Sequence, residues 1–268
     1  MLDFKKICFF VCTAICFIGC FKKHKTFLVF AQLCDTQLGM INYEKEKKSL
    51  EKAIYLIDSM NLDFVVVCGD LVNNAVDSTF NEFNRIIKKS KTPFFLVSGN
   101  HDVGNIPTKE SLSYYRNRIG KDYYSFKKAS TNFIIINTQL VKEEVATESK
   151  EHKKWLLSTL KNIDKKKEST IVIGHYPLYI NKPDEEEGYF NLPLEQRNLL
   201  LNAFVKNNVS AYLSGHSHTF ISNTYKGIQL ISGETTSKNF DERPLGFRLW
   251  KVTQNSAKHQ FIPLKNSK

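Results

Sequence analysis

The sequence predicts an α/β protein, with a strand-rich end that brings it toward the α+β class, and three observations carry that prediction. Short apolar runs rich in β-branched and aromatic residues alternate with segments of helical period. The runs are continuously apolar, as strands covered on both faces are. Past Asn207 the helical segments stop and strand-like runs follow one another across short turns. At 268 residues and 42% hydrophobic, with Gly and Pro sparse, the chain can bury a sizeable core. It is read as one domain over 26–268 preceded by a separate segment, 1–25.

The elements follow in order. "TFLVFAQL", "DFVVVC", "PFFLVS", "NFIIIN", "STIVIG" and "SAYLSG" are the strand candidates, and 44–60, 79–89, 109–118, 148–162 and 193–207 carry the helical period. "YKGIQLISG", "GFRLWKVT" and "HQFIPL" close the chain as strands. "PDEEEG", at 183–188, is the one local block of charge and reads as an exposed loop.

The first 25 residues, "MLDFKKICFFVCTAICFIGCFKKHK", are uncharged from Ile7 to Phe21 between basic flanks. That stretch is shorter than the ~20 residues a membrane span needs. A charged start and an apolar middle fit an export signal. "FIGC" resembles a bacterial lipoprotein processing box, with Cys20 as the lipidated residue, although Phe17 departs from the aliphatic residue preferred there. An uncleaved signal anchor and plain secretion are the other readings. All three place the globular part outside the cytoplasm or against a membrane, on the periplasmic or extracytoplasmic face.

Four of the six cysteines lie in that segment, which leaves Cys34 and Cys68, each at the end of an apolar run just before a carboxylate. Small buried core residues are the simpler reading, and a disulfide between neighbouring strands in an oxidising compartment is the alternative. No CxxC spacing suggests structural zinc. The net charge of +11 comes from lysines scattered along the chain, as in "KEKKSLEK" and "KNIDKKKE". Scatter of this kind marks solvated helix faces, so a nucleic-acid partner is not expected, while anionic substrates are favoured.

The polar residues that end the strand candidates form a set: Asp35-Thr36-Gln37, Gly69-Asp70, Gly99-Asn100-His101-Asp102, Gly174-His175 and Gly215-His216-Ser217-His218. In a mostly parallel sheet the C-terminal strand ends share one edge, where sites form. Carboxylate and amide oxygens with imidazoles are donors that borderline and hard divalent metals accept. In extended chain, residues two apart point the same way, which would pair Asp35 with Gln37 and His216 with His218. A carboxylate such as Asp70 can bridge two cations about 3.5 to 4 Å apart.

In this order the motifs resemble those of the calcineurin-like metallophosphoesterases, D-x-H, G-D, G-N-H-D, G-H and G-H-x-H, present here as "DTQ", "GD", "GNHD", "GH" and "GHSH" over about residues 27–262. "SGNHDVGNIPT", "GKDYYSF" and "YFNLPLEQRNLL" are similar to the subgroup of calcineurin-like phosphoesterase domain-containing protein 1, a Ser/Thr phosphatase. The resemblance implies a four-layer αββα sandwich of two mixed β-sheets flanked by helices, and two divalent metal ions, Mn, Fe, Zn or Mg. It implies Asp35, Asp70 and His218 at the first metal and Asp70, Asn100, His175 and His216 at the second. Gln37 stands where most of the family has His, and its amide oxygen is a weaker, harder donor.

The implied activity is hydrolysis of a phosphate monoester, on a phosphoprotein or a small ester, by attack of a metal-bound hydroxide. His101 would face the phosphate, with Asp102 bonded to the far side of its ring. Asn73, Asn105, Thr108 and Tyr123 lie on segments that could border the substrate. A phosphodiesterase acting on nucleotides or nucleic acid, and a membrane-tethered binding protein without catalysis, are the rival readings.

Overall fold

The computed structural model describes residues 27–264. The export and anchoring readings of 1–25, with the lipidation of Cys20, lie outside the described residues. Among the described residues no helix is long and apolar enough to cross a membrane.

The elements run β1 (Leu28–Leu33), α1 (Tyr43–Ser59), β2 (Phe64–Val67), α2 (Asp77–Ile87), β3 (Phe94–Leu96), α3 (Asn100–Val103), α4 (Lys109–Arg118), β4 (Tyr124–Lys128), β5 (Thr131–Ile135), α5 (Gln139–Lys142) and α6 (Ala146–Lys161). They continue with β6 (Ser169–Ile173), α7 (Leu194–Lys206), β7 (Val209–Ser214), β8 (Ile221–Tyr225), β9 (Ile228–Ser232), β10 (Gly246–Thr253) and β11 (Ser256–Pro263). Helix boundaries follow local chemistry. Asn42 accepts from the Lys45 N–H at the start of α1, and Thr108 from the Ser111 N–H at the start of α4.

Two mixed sheets result, in strand orders β11-β10-β1-β2-β3 and β4-β5-β6-β7-β9-β8. Each has a parallel centre, β1-β2-β3 in one and β5-β6-β7-β9 in the other, with antiparallel strands added outside. The parallel centre expected from the sequence is therefore divided between two sheets. The strands after α7 do not form one sheet: β7, β8 and β9 complete the second, whereas β10 crosses over to pair with β1 of the first and carries β11 with it.

Three apolar layers hold the sandwich. Ala31, Val65 and Val67 pack against Leu50, Ile57, Phe80, Phe83 and Leu112 of α1, α2 and α4. Val172 and Tyr212 pack against Leu156, Leu160, Leu200 and Phe204 of α6 and α7. Between the sheets lie Phe30, Phe64, Val66, Phe133, Ile171, Leu213 and Trp250. Phe30 stacks on Phe64 with ring centroids 4.7 Å apart and meets Phe133 edge-on at 5.5 Å. Cys34 and Cys68 belong to this middle layer as buried free thiols. The architecture is the four-layer αββα sandwich, with helices on both outer faces.

Candidate metal centre

The parallel strands of both sheets end at one place. Past β1, β2 and β7 the backbone turns at once, with Asp35, Gln37, Asp70, His216 and His218 all left-handed at φ of 45°, 36°, 50°, 65° and 51°. Side chains other than glycine resist this conformation, and such strain gathers at functional sites. The alternation of an extended chain is therefore not what brings Asp35 and Gln37, or His216 and His218, to the centre. Sharp turns do so. Glycine precedes the ligands because the space is taken: a Cβ on Gly99 would stand 2.1 Å from Asp70 Oδ1, and one on Gly215 would stand 2.5 Å from Asp35 Oδ2.

The donor atoms of Asp70, His175 and His216 lie within 4.8 Å of one another, all buried. His175 Nε2 is 3.3 Å from Asp70 Oδ2 and 3.0 Å from Asn100 Oδ1, and His218 Nε2 is 3.6 Å from Asp35 Oδ1. The remote nitrogen of each ring meets a backbone carbonyl: His175 Nδ1 donates to Cys68 O at 2.7 Å, His218 Nδ1 to Lys238 O at 2.6 Å and His216 Nε2 to Tyr189 O at 3.0 Å. A carbonyl only accepts, so the proton sits on that side, and the other nitrogen of a neutral ring carries a lone pair. In His175 and His218 that lone pair faces oxygens. This outer-shell pattern is the one that orients metal-ligating histidines.

The arrangement pulls strongly on positive charge. Burial opposes a proton on His175, but the Asp70 carboxylate outweighs it and raises the ring to about 9. Burial and the neighbouring His175 hold His216 down to about 3. Asp70 is held well below the usual carboxylate range, because His175 overcomes the effect of burial. Burial raises the Asp35 carboxyl against the pull of His218 and His175. Gln37 Oε1 is buried with no hydrogen-bond donor, an orphaned acceptor of a kind that calls for a ligand. Oxygen and imidazole donors, preset tautomers and this orphan fit divalent cations.

His101 is half-buried beside the cluster. Its backbone N–H donates to Asp70 Oδ1 at 2.9 Å and its Nδ1 to Asn73 O at 2.9 Å. The expected bond from Asp102 to the His101 ring is not made. Asp102 instead accepts from the Leu71, Val72 and Gly99 backbone N–H groups, at 2.8 to 3.3 Å, and ties the ends of β2 and β3 together. The two residues are consecutive in α3, and consecutive side chains on a helix diverge. Burial and the Asp70 charge raise the Asp102 carboxyl to about 8.

A cavity of about 880 Å³ beside His101 is lined by Asn73, Asn105 and Thr108, among others. Asn105 accepts from Asn100 Nδ2 at 3.0 Å and so orients that amide. The Thr108 hydroxyl is engaged as the α4 cap. Tyr123 is not part of this cavity. It packs on His152 and Trp155 of α6, because the pairing of β4 with β5 carries the segment before β4 to that face.

Sequence reasoning missed the aromatic rim. Tyr189 and Phe190 lie over His216, with ring centroids 5.0 and 5.5 Å away, and Phe240 stacks on His218 at 4.6 Å. All three rings are exposed, Tyr189 by 54%. "YF" in the loop before α7 was the available signal, since paired aromatics in an otherwise polar loop have no core to fill.

The sequence profile of the calcineurin-like phosphoesterase family matches residues 28–220. Serine/threonine-protein phosphatase CPPED1 of Bos taurus is 29% identical over 243 residues, covering 86% of this chain and 77% of that protein. Among solved structures, a dimetal phosphatase from Danio rerio superposes with a TM-score of 0.69 at 15% identity, covering 89% of this chain and 96% of that one. GAP50, the anchor in the inner membrane complex of Plasmodium, superposes with a TM-score of 0.66 at 19% identity, covering 91% and 87%. At those identities the likeness is one of fold.

Proposed function

The chain belongs to the calcineurin-like phosphoesterase family and is a metallophosphoesterase, and from that premise we propose that it hydrolyses phosphate monoesters of the Ser/Thr-phosphoprotein type at a centre of two divalent cations. The observation that carries the metal-dependent reading is the buried group of Asp70, His175 and His216, with His218 set against Asp35 and all three rings bonded to backbone carbonyls, and the likeness to Ser/Thr phosphatases supports the monoester. Asp70, Asn100, His175 and His216 would hold one cation, and Asp35, Asp70 and His218 the other, with Gln37 Oε1 as a further donor. Bound there, divalent cations supply Lewis-acid polarisation of the phosphoryl oxygens and acidify a water.

The chain's own residues do the rest. Asp70 keeps its negative charge through its imidazole neighbours. Asn105 fixes the Asn100 amide so that its oxygen, not its nitrogen, is turned to His175. The Asn73 carbonyl accepts a hydrogen bond from His101 Nδ1–H and leaves Nε2 as the nitrogen that works on substrate. As an imidazolium, His101 would give its Nε2 proton to the leaving alkoxide, ending as the neutral Nδ1–H ring, and would steady the phosphoryl oxygens in the adjoining cavity. Asp102 acts on the backbone, keeping Leu71 and Gly99 where Asp70 and Asn100 need them.

The test is a panel of phosphopeptides, O-phosphoserine, nucleotides and cyclic diesters, assayed with Mn²⁺, Mg²⁺, Zn²⁺ and a chelator, together with metal analysis of the protein. Monoester turnover that the chelator abolishes is the expected result. Faster cleavage of diesters would move the activity to the phosphodiesterase class, and metal-free inertness to every ester would favour the binding protein. The N-terminal segment we propose as an export and membrane-anchoring signal, checked by mass spectrometry of the mature N-terminus for a lipid on Cys20.

A further inference from the structure

The segment between β6 and α7 is a loop without regular structure, and it is nonetheless held firmly. The fully buried Arg197 of α7 spends its guanidinium on backbone carbonyls, with Nε on Leu178 O at 2.8 Å, Nη1 on Pro183 O and Glu185 O at 2.9 and 2.7 Å, and Nη2 on Leu192 O at 2.8 Å. Lys142 Nζ donates to Gly188 O and Asn191 O, both at 2.8 Å. The Glu185 carboxylate accepts from the Ile180 and Asn181 N–H groups, and Asn191 Nδ2 donates to Glu186 O. Loops tied at this many points do not fray, so the side chains they expose are presented.

What the loop presents is of two kinds, and the aromatic part lies against the metal centre. Tyr189 and Phe190 turn large, exposed apolar rings over His216. Within five residues of Tyr189, Asp184, Glu186 and Glu187 are exposed, in a chain whose net charge is +11. Part of their field offsets the buried Arg197 charge. Exposed aromatics at a reacting centre favour an apolar neighbour to the phosphate. Exposed carboxylates on the same loop favour a basic neighbour and repel the additional phosphates of a nucleic acid.

We propose that the loop 178–192 is the specificity element of the centre: Tyr189 and Phe190 receive an apolar side chain, and Asp184, Glu186 and Glu187 a basic one, close to the phosphorylated residue of a peptide. The inference rests on the monoesterase reading. Arg197 is the positioning residue that gives the loop its shape, and Tyr189 joins recognition to chemistry by holding His216 through its carbonyl.

The experiment uses the full chain loaded with Mn²⁺ and four substrates: a phosphoserine peptide with Leu and Arg beside the phosphorylated residue, the same peptide with Gly and Asp there, free O-phosphoserine and a nucleoside monophosphate. The ratio of kcat/KM for the first peptide over the second is expected to be about tenfold or more. It is expected to collapse toward unity in Phe190→Ala and to fall in Glu186→Gln/Glu187→Gln, with unchanged thermal midpoints showing that both variants fold. A ratio near one in the unaltered protein, survival of the ratio in both variants, or preference for the nucleotide overturns the inference. Equal turnover of the two peptides leaves the monoesterase reading standing. Failure to hydrolyse any of the four monoesters removes that reading and the inference with it.

Discussion

His101 touches the centre in two separable ways. Its backbone N–H supports Asp70, and its side chain faces the cavity. His101→Ala keeps the first and deletes the second, so metal content is expected to stay while kcat falls by about 10²- to 10⁴-fold. Metal analysis beside steady-state kinetics checks it, and retained turnover would remove the imidazole from the reaction. At this scale Asp35, Asp70, His175, His216 and His218, which the fold gathers, were readable because their residue types carry the chemistry. What completes them was not. Cys68, Tyr189 and Lys238 hold the three rings by backbone carbonyls, which every residue type possesses. Asp102 was misassigned because neighbours in sequence were taken as neighbours in space.

Among the elements, the buried parallel strands announced themselves by continuous apolarity, and α4 lies at the bounds expected of it. β4 and β8 did not. Both are edge strands of the second sheet, half-buried in alternation, with Lys127 and Lys128 in one and Ser222, Asn223 and Thr224 in the other. Polar, lysine-bearing edges discourage pairing with other chains, and the same polarity makes them read as loops. The pairing of β10 with β1 is a long-range choice that no local pattern encodes.

α6 contributes a pH dependence away from the metal centre. His152 is buried against Tyr123 and accepts the Asn137 N–H at 3.3 Å, and burial lowers its ring to about 4. The unfolded chain, near 6.5, binds a proton that the folded one refuses. Stability is therefore unaffected by this group above about pH 6.5 and is lost as pH falls from there toward 4, by roughly 3 kcal/mol in all. Urea unfolding at pH 7.5 and 4.5 is expected to show a smaller loss in His152→Gln than in the parent. Equal losses would exclude the ring as a cause.

For the molecule as a whole, the centre stands at a seam. Asp35, Asp70 and Asn100 come from strand ends of the first sheet, and His175, His216 and His218 from those of the second. The Gln32 side chain crosses the same seam, with Nε2 on Ser214 O at 3.0 Å and Oε1 taking the Trp250 indole N–H at 2.8 Å. Divalent cations bound there would tie the sheets together. At a free concentration a hundredfold above Kd they add about 2.7 kcal/mol, so chelation is expected to lower Tm by about 5 to 10 °C. An unchanged midpoint in thermal denaturation with and without chelator would place the cations elsewhere.

The crossing of β10 into the first sheet also bears on how the protein is made. A ribosome releases β1 long before β10, one of its two partner strands, and the imidazoles of 216 and 218 emerge only after the parallel centre of the first sheet. Until β10 emerges the nascent polypeptide carries an open strand flank on β1, so completion of the first sheet must wait for a segment made long after its centre.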